Sequence, residues 1–188
     1  MSEQLRVDEA NAWRLQTPGT TDWPRTARPD DPDKYLMISA DTHANEPAEL
    51  WRERIEPKYR DRVPHLRKDE KGDLWSVVEG NRPTKIRIMA MVGQDEERNG
   101  SGATIKGRSA DHKRDGIDAE IIFPNKGLAM WATPDPDLAM AQCRVWNDWA
   151  WEFYGAHNDT MSPMAALATG DLSGTMAEIK RTAKVGFR

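Results

Sequence analysis

The sequence predicts an α/β fold with a parallel sheet. Three observations lead there. Apolar runs at 35–40, 117–123 and 161–169 read as strands buried on both faces. Amphipathic helical stretches lie between and after them, and Pro, Asp and Gly stand where those helices should open and close. Strands alternating with amphipathic helices build right-handed βαβ units. At 188 residues the chain is long enough for one domain or a little more.

Taken in order, residues 1–33 are polar, with Pro18, Pro24, Pro29 and Pro32 and the acidic run Asp30, Asp31 and Asp33, and read as an N-terminal arm. Tyr35-Leu36-Met37-Ile38-Ser39-Ala40 is the first strand, bounded by Pro32 and by Asp41-Thr42-His43. Pro47 and Pro57 open two short helices, at 47–55 and 57–62. Residues 64–108 change character: β-rich stretches at 74–78 and 84–88 flank Glu79-Gly80-Asn81-Arg82-Pro83, which predicts a hairpin, and 93–108 is charged and Gly-rich, a surface loop or a lid. This region reads as an insertion after the first strand. A short helical piece at 111–114 stops at Gly116 before the second strand. The longest helix has Asp135 as N-cap and Pro136 in its first turn. Leu138, Ala141, Val145, Trp149 and Phe153 form its apolar stripe, which runs to about Gly155. After the third strand Asp171 caps a helix with Leu172, Met176, Ile179 and Ala183 on one side and Gly186 at its end. Phe187-Arg188 read as the opening of a fourth strand.

Composition excludes several classes. Thirteen glycines and 12 prolines are an ordinary share, and 38% apolar beside 31% charged residues is neither collagen-like nor low in complexity. A net charge of -4 gives no electrostatic footprint for nucleic acid or an anionic membrane, so neither partner is expected. Nothing approaches the 18 or so consecutive apolar residues of a membrane span. The single Cys143 allows no internal disulfide and reads as a small buried residue. The acidic opening lacks the basic and apolar runs of a targeting peptide, and a reducing cytoplasm is the expected location.

In parallel α/β folds functional groups collect at the carboxyl ends of the strands. Asp41 and His43 stand at such an end. Residues two apart in a strand point to the same side, so this carboxylate and imidazole can reach one point, as two ligands of a metal ion must. The spacing also suits a structural reading, in which Asp41 caps the following loop and His43 hydrogen-bonds nearby. His65, His112 and His157 lie in polar contexts without ligand spacing and read as surface imidazoles, and Trp146 and Trp149 read as core.

The stretch Ile38-Ser39-Ala40-Asp41-Thr42-His43-Ala44-Asn45-Glu46-Pro47-Ala48-Glu49-Leu50-Trp51 resembles the opening of the amidohydrolase-related family, the branch of the amidohydrolase superfamily with decarboxylases similar to aminocarboxymuconate semialdehyde decarboxylase. Pro57-Lys58-Tyr59-Arg60-Asp61-Arg62-Val63-Pro64, Asp115-Gly116-Ile117-Asp118-Ala119-Glu120-Ile121-Ile122-Phe123-Pro124, Asn147-Asp148-Trp149 and Gly186-Phe187-Arg188 follow in the family's order. The resemblance implies the N-terminal half of a (β/α)8 barrel over 34–188, with a hairpin and loop insertion at about 64–108 and truncation as the fourth strand begins. It implies Asp41 and His43 as first-strand metal ligands. Asp41 stands where many relatives have His, which shifts the preference toward harder ions and leaves zinc or manganese. Glu46 and Asn125 are the candidate substrate-binding residues. The remaining ligands and the catalytic residues are expected downstream of Arg188. The implied activity is hydrolysis of an amide, ester or lactone bond of a small molecule, or non-oxidative decarboxylation; whether the full-length enzyme is a monomer or a homo-oligomer is left open by these residues. A further alternative is an inactive fragment or interaction module.

Overall fold

The computed structural model describes residues 37–87 and 100–187. The arm at 1–33, the first two residues of the 35–40 strand, Ile88, loop residues 93–99 and Arg188 lie outside the described residues. In chain order the elements are β1 (Ile38–His43), α1 (Leu50–Arg54), β2 (His65–Lys68), β3 (Leu74–Val77), β4 (Thr84–Lys85), α2 (Ile105–Asp115), β5 (Ala119–Phe123), α3 (Pro136–Tyr154), β6 (Met161–Pro163) and α4 (Leu172–Val185). Short 3-10 turns lie at Pro57–Tyr59, Ser101–Ala103, Lys126–Ala132 and Gly155–His157.

Two sheets form. In the first, β1, β5 and β6 are parallel and adjacent in that order, as expected for consecutive βα units. In the second, β2, β3 and β4 are antiparallel neighbours, with Trp75 opposite Lys85 and Arg67 opposite Trp75. The β3–β4 pair lies at the two β-rich stretches read from the sequence, and β2 joins it as a third strand. Arg62 ties the β3–β4 connection to the N-cap of α3: its guanidinium donates to both oxygens of Glu79, at 2.8 and 2.7 Å, and to Asp135 at 2.9 Å. Glu79 also accepts from the Thr133 hydroxyl at 2.7 Å.

α3 forms where its cap and stripe place it. Asp135 accepts from the amides of Asp137 and Leu138, and Leu138, Cys143, Trp146, Ala150 and Tyr154 are fully buried. They pack with Leu50 and Trp51 of α1, with Ile55 at its C-cap and with Ile122 of β5 into one core. The Trp51 indole N–H reaches the Gln142 carbonyl at 3.1 Å, so the aromatic that bridges α1 to α3 has its polar atom satisfied. Truncating a side chain as enclosed as Leu138 costs about 2–5 kcal/mol.

The helix expected at 57–62 is only the 3-10 turn Pro57–Tyr59, β4 is only Thr84–Lys85, and β1 runs on through Asp41, Thr42 and His43. Three further elements differ from the sequence reading. α2 begins at Ile105, inside the stretch expected to be loop. Thr104 caps it by accepting from Gly107, and the inward residues are Arg108 and His112 rather than aliphatics. The third strand is only Met161–Pro163; the Met164 amide still donates to the Ile122 carbonyl at 2.9 Å, and side chains then take over the backbone. Trp146 donates to the Met164 carbonyl, and Asn147 donates to the carbonyl of Ala166 and accepts from its amide. Finally, α4 turns its apolar side outward: Leu172 is 74% exposed and Met176 48%, while Thr175, Glu178 and Thr182 are buried. Glu178 makes this possible, since its carboxylate receives Asn147, Arg144 and Arg181.

Candidate functional site

The carboxyl ends of β1 and β5 carry the candidate site. A register irregularity between Ser39 and Thr42 interrupts the β1–β5 ladder just before it, and the Thr42 hydroxyl donates to the Ile121 carbonyl at 2.9 Å. Asp41, within the irregularity, and His43, just beyond it, are both exposed, with Asp41 Oδ1 3.4 Å from His43 Nε2. The other ring nitrogen, His43 Nδ1, lies 2.9 Å from the Pro124 carbonyl oxygen. A carbonyl oxygen only accepts, so Nδ1 carries the hydrogen. When the ring is neutral, Nε2 therefore holds the lone pair, 3.4 Å from Asp41 Oδ1 with no hydrogen bond between them.

This donor set fits a divalent ion. Ligands held about 2.1 Å from a tetrahedral ion stand roughly 3.4 Å from each other, and a histidine ligand that donates its second ring N–H to a carbonyl is the arrangement that fixes the free nitrogen. Among the described residues no group of three or more His, Cys, Asp or Glu side chains gathers that could hold a metal ion.

Glu46 and Asn125 are brought together, but not as two side chains facing a ligand. Glu46 is buried, and its carboxylate accepts from the backbone amides of Asn125 at 2.7 Å and Lys126 at 3.2 Å. The Lys126 ammonium closes on the Glu46 carbonyl. Glu46 thus positions the loop that leaves β5, while Asn125 is exposed at its start. Further along that loop Leu128 and Trp131 stand 50% and 41% exposed, and the Trp131 indole is anchored on the Leu167 carbonyl at 2.7 Å.

The remaining histidines divide. His157 is exposed, and His65 is half-buried with Nδ1 2.9 Å from the Val63 carbonyl. His112, expected at the surface, is buried, with Nε2 3.0 Å from Glu120 Oε1 but out of line for a hydrogen bond. It is drawn inward by a strand glutamate that apolar periodicity gives no reason to expect. The Pro124 carbonyl was also missed, since a backbone oxygen leaves no residue-type signal; the Pro that ends β5 was the only local cue.

No protein-family model matches the chain, and no curated protein sequence matches it. Among solved structures, the chain is similar to an amidohydrolase of Mycobacterium avium subsp. paratuberculosis K-10, with a TM-score of 0.65 at 17% identity, over 81% of this chain and 47% of that one. It also overlaps a 2,6-dihydroxybenzoate decarboxylase from Rhizobium, with a TM-score of 0.45 at 19% identity, over 81% of this chain and 36% of that one. The chain therefore shares the fold of part of the amidohydrolase and spans about half its length. Among the described residues no helix is long and apolar enough to cross a membrane.

Proposed function

We propose that this chain supplies the first-strand ligand pair of a metal-dependent enzyme of the amidohydrolase-related kind, in the branch that its sequence blocks resemble, and that the enzyme hydrolyses an amide, ester or lactone bond of a small molecule. One observation carries the reading: the Pro124 carbonyl takes the His43 Nδ1 hydrogen, which leaves Nε2 free 3.4 Å from the Asp41 carboxylate at the carboxyl end of a parallel strand. A site for charge is thereby built where such folds place their chemistry.

In this proposal Asp41 and His43 hold zinc or manganese, with further ligands from outside these 188 residues. When bound, the ion supplies Lewis-acid chemistry to an oxygen of the substrate or of water. The chain's own residues orient and enclose. His43 presents Nε2 because Nδ1 is committed to Pro124, Glu46 holds the loop bearing Asn125, and Asn125, Leu128 and Trp131 form the rim that a substrate meets.

The test is made in the protein that carries this segment, by following hydrolysis of p-nitrophenyl acetate, a p-nitroanilide and a γ-lactone. Turnover is expected to require added Zn²⁺ or Mn²⁺ and to fall at least about 100-fold in His43→Ala and in Asp41→Ala, more than is lost on disturbing a ligand's supporting partner. Hydrolysis that survives chelation and both substitutions would contradict the proposal.

A further inference from the structure

We propose that Arg108, fixed by Glu120, is a positioning residue for His43; this rests on the reading of His43 as a ligand. The argument begins with the direction of one carbonyl. The Ala44 amide is bonded to the Phe123 carbonyl at 2.8 Å, on the β5 side of β1. Across a trans peptide the preceding C=O points the opposite way. The His43 carbonyl therefore faces the other side of β1, where no strand pairs with it among the described residues. Arg108 takes the place of that neighbour: its Nη2 donates to the His43 carbonyl oxygen at 3.0 Å.

The guanidinium is itself held. Nη2 also donates to Glu120 Oε2 at 3.1 Å, and Nε donates to Glu120 Oε1. Arg108 is 8% exposed and Glu120 4%. His112 from α2 closes one side of the pair, and the Tyr154 ring from α3 lies 5.8 Å from the guanidinium carbon. An ion pair buried this deeply adds little net stability over apolar side chains of equal volume. Its consequence is geometric: a planar fork with one arm on the ligand strand and two bonds to the adjacent strand. Its place is local: the ladder breaks between Ser39 and Thr42 and resumes with Thr42 opposite Ile122 and His43 opposite Phe123, so the end of β1 is placed by two pairs set apart from the rest. A ligand at the end of an irregular edge strand is held from one side by Phe123 and from the other by Arg108.

The experiment compares the full chain with Arg108→Lys, which keeps the charge but not the fork, and with the double variant Arg108→Met plus Glu120→Met, which removes the pair without leaving a buried charge alone. The first readout is the ¹⁵N spectrum of histidine-labelled protein; the chain has four histidines, and His43→Ala assigns the signal. The parent is expected to show His43 as the Nδ1–H tautomer, and both variants to show a mixed, broadened signal while circular dichroism reports a folded chain. The second readout is the shift of the His43 resonances on titration with Zn²⁺. Its midpoint is expected to move about 10–100-fold to higher concentration in the variants, the range for losing a group that supports a metal-bound histidine. An unchanged tautomer and an unchanged midpoint in folded variants would overturn the proposal, and Arg108→Lys decides it if the double variant does not fold. If the parent shows no response to Zn²⁺ but its tautomer still depends on Arg108, the positioning role stands and the metal reading falls.

Discussion

Glu46 and Asn125 are joined across 79 residues of sequence by a 2.7 Å hydrogen bond from the Asn125 amide to the Glu46 carboxylate, and the next amide, that of Lys126, occupies the other oxygen. The loop that leaves β1 is thereby locked to the loop that leaves β5, at the end of the sheet where Asp41 and His43 stand. Glu46→Ala orphans both amides. It is expected to cost about 1–3 kcal/mol in urea unfolding, with Glu46→Gln recovering part of the loss. A Glu46→Ala chain as stable as the parent would show that the carboxylate is free for another task.

Glu178 makes the docking of α4 depend on pH. Burial pushes its carboxyl up, but the hydrogen bonds from Arg181 and Asn147 and the charge of Arg144 outweigh this and hold it below the ordinary glutamate value. A depressed folded-state value contributes stability that is fully present above the unfolded-state value and lost as pH falls through the folded one. The melting temperature is therefore expected to drop from the ordinary glutamate range downward. Glu178→Gln should be less stable than the parent at neutral pH and should converge on it in acid. Parallel curves at all pH values would show that Glu178 does not carry this dependence.

Gly80 turns the β3–β4 connection against the parallel unit with a φ of +87°, and a Cβ there would be driven into the Ala132 carbonyl. Both the left-handed conformation and the close approach demand glycine. Gly80→Ala is expected to destabilise by about 2–4 kcal/mol, combining backbone strain and overpacking, as measured by denaturant titration. Gly72, also left-handed at +82° but with open space around it, should show the smaller cost of the backbone alone.

Cys143 is fully buried beside Met130, and burial pushes its thiol up to about 12. At pH 8 the folded chain is expected to leave Ellman's reagent unreacted and to release one thiol equivalent when denaturant is added. Prompt reaction of the folded chain would place the sulfur at the surface and the α3 packing in error.

The parts legible in the sequence were those written in local chemistry. The apolar run before Asp41, the Asp135 cap with its stripe, and the capping pair Asp171 and Gly186 each specify an element through neighbours along the chain. What escaped depends on tertiary neutralisation. α2 faces inward with Arg108 and His112 because Glu120 waits on β5, and α4 docks through Glu178 because Asn147, Arg144 and Arg181 converge on it. Hydrophobic periodicity cannot report such contacts; it reads 93–108 as a surface loop or a lid and gives no hint that the α4 stripe faces outward. At the site, the D-x-H spacing supplied the residue pair, but the Pro124 carbonyl that sets which nitrogen faces Asp41 emerges only when β1 and β5 lie side by side.

The most direct test of the account is calorimetric titration of the purified chain with Zn²⁺ and with Mn²⁺, beside the double variant Asp41→Ala plus His43→Ala. The parent is expected to bind one ion weakly, because two placed ligands fall short of the three that a catalytic zinc takes from protein, and the double variant is expected to lose that heat. Identical heats and midpoints in the two proteins would contradict the assignment of Asp41 and His43 as the metal-holding pair.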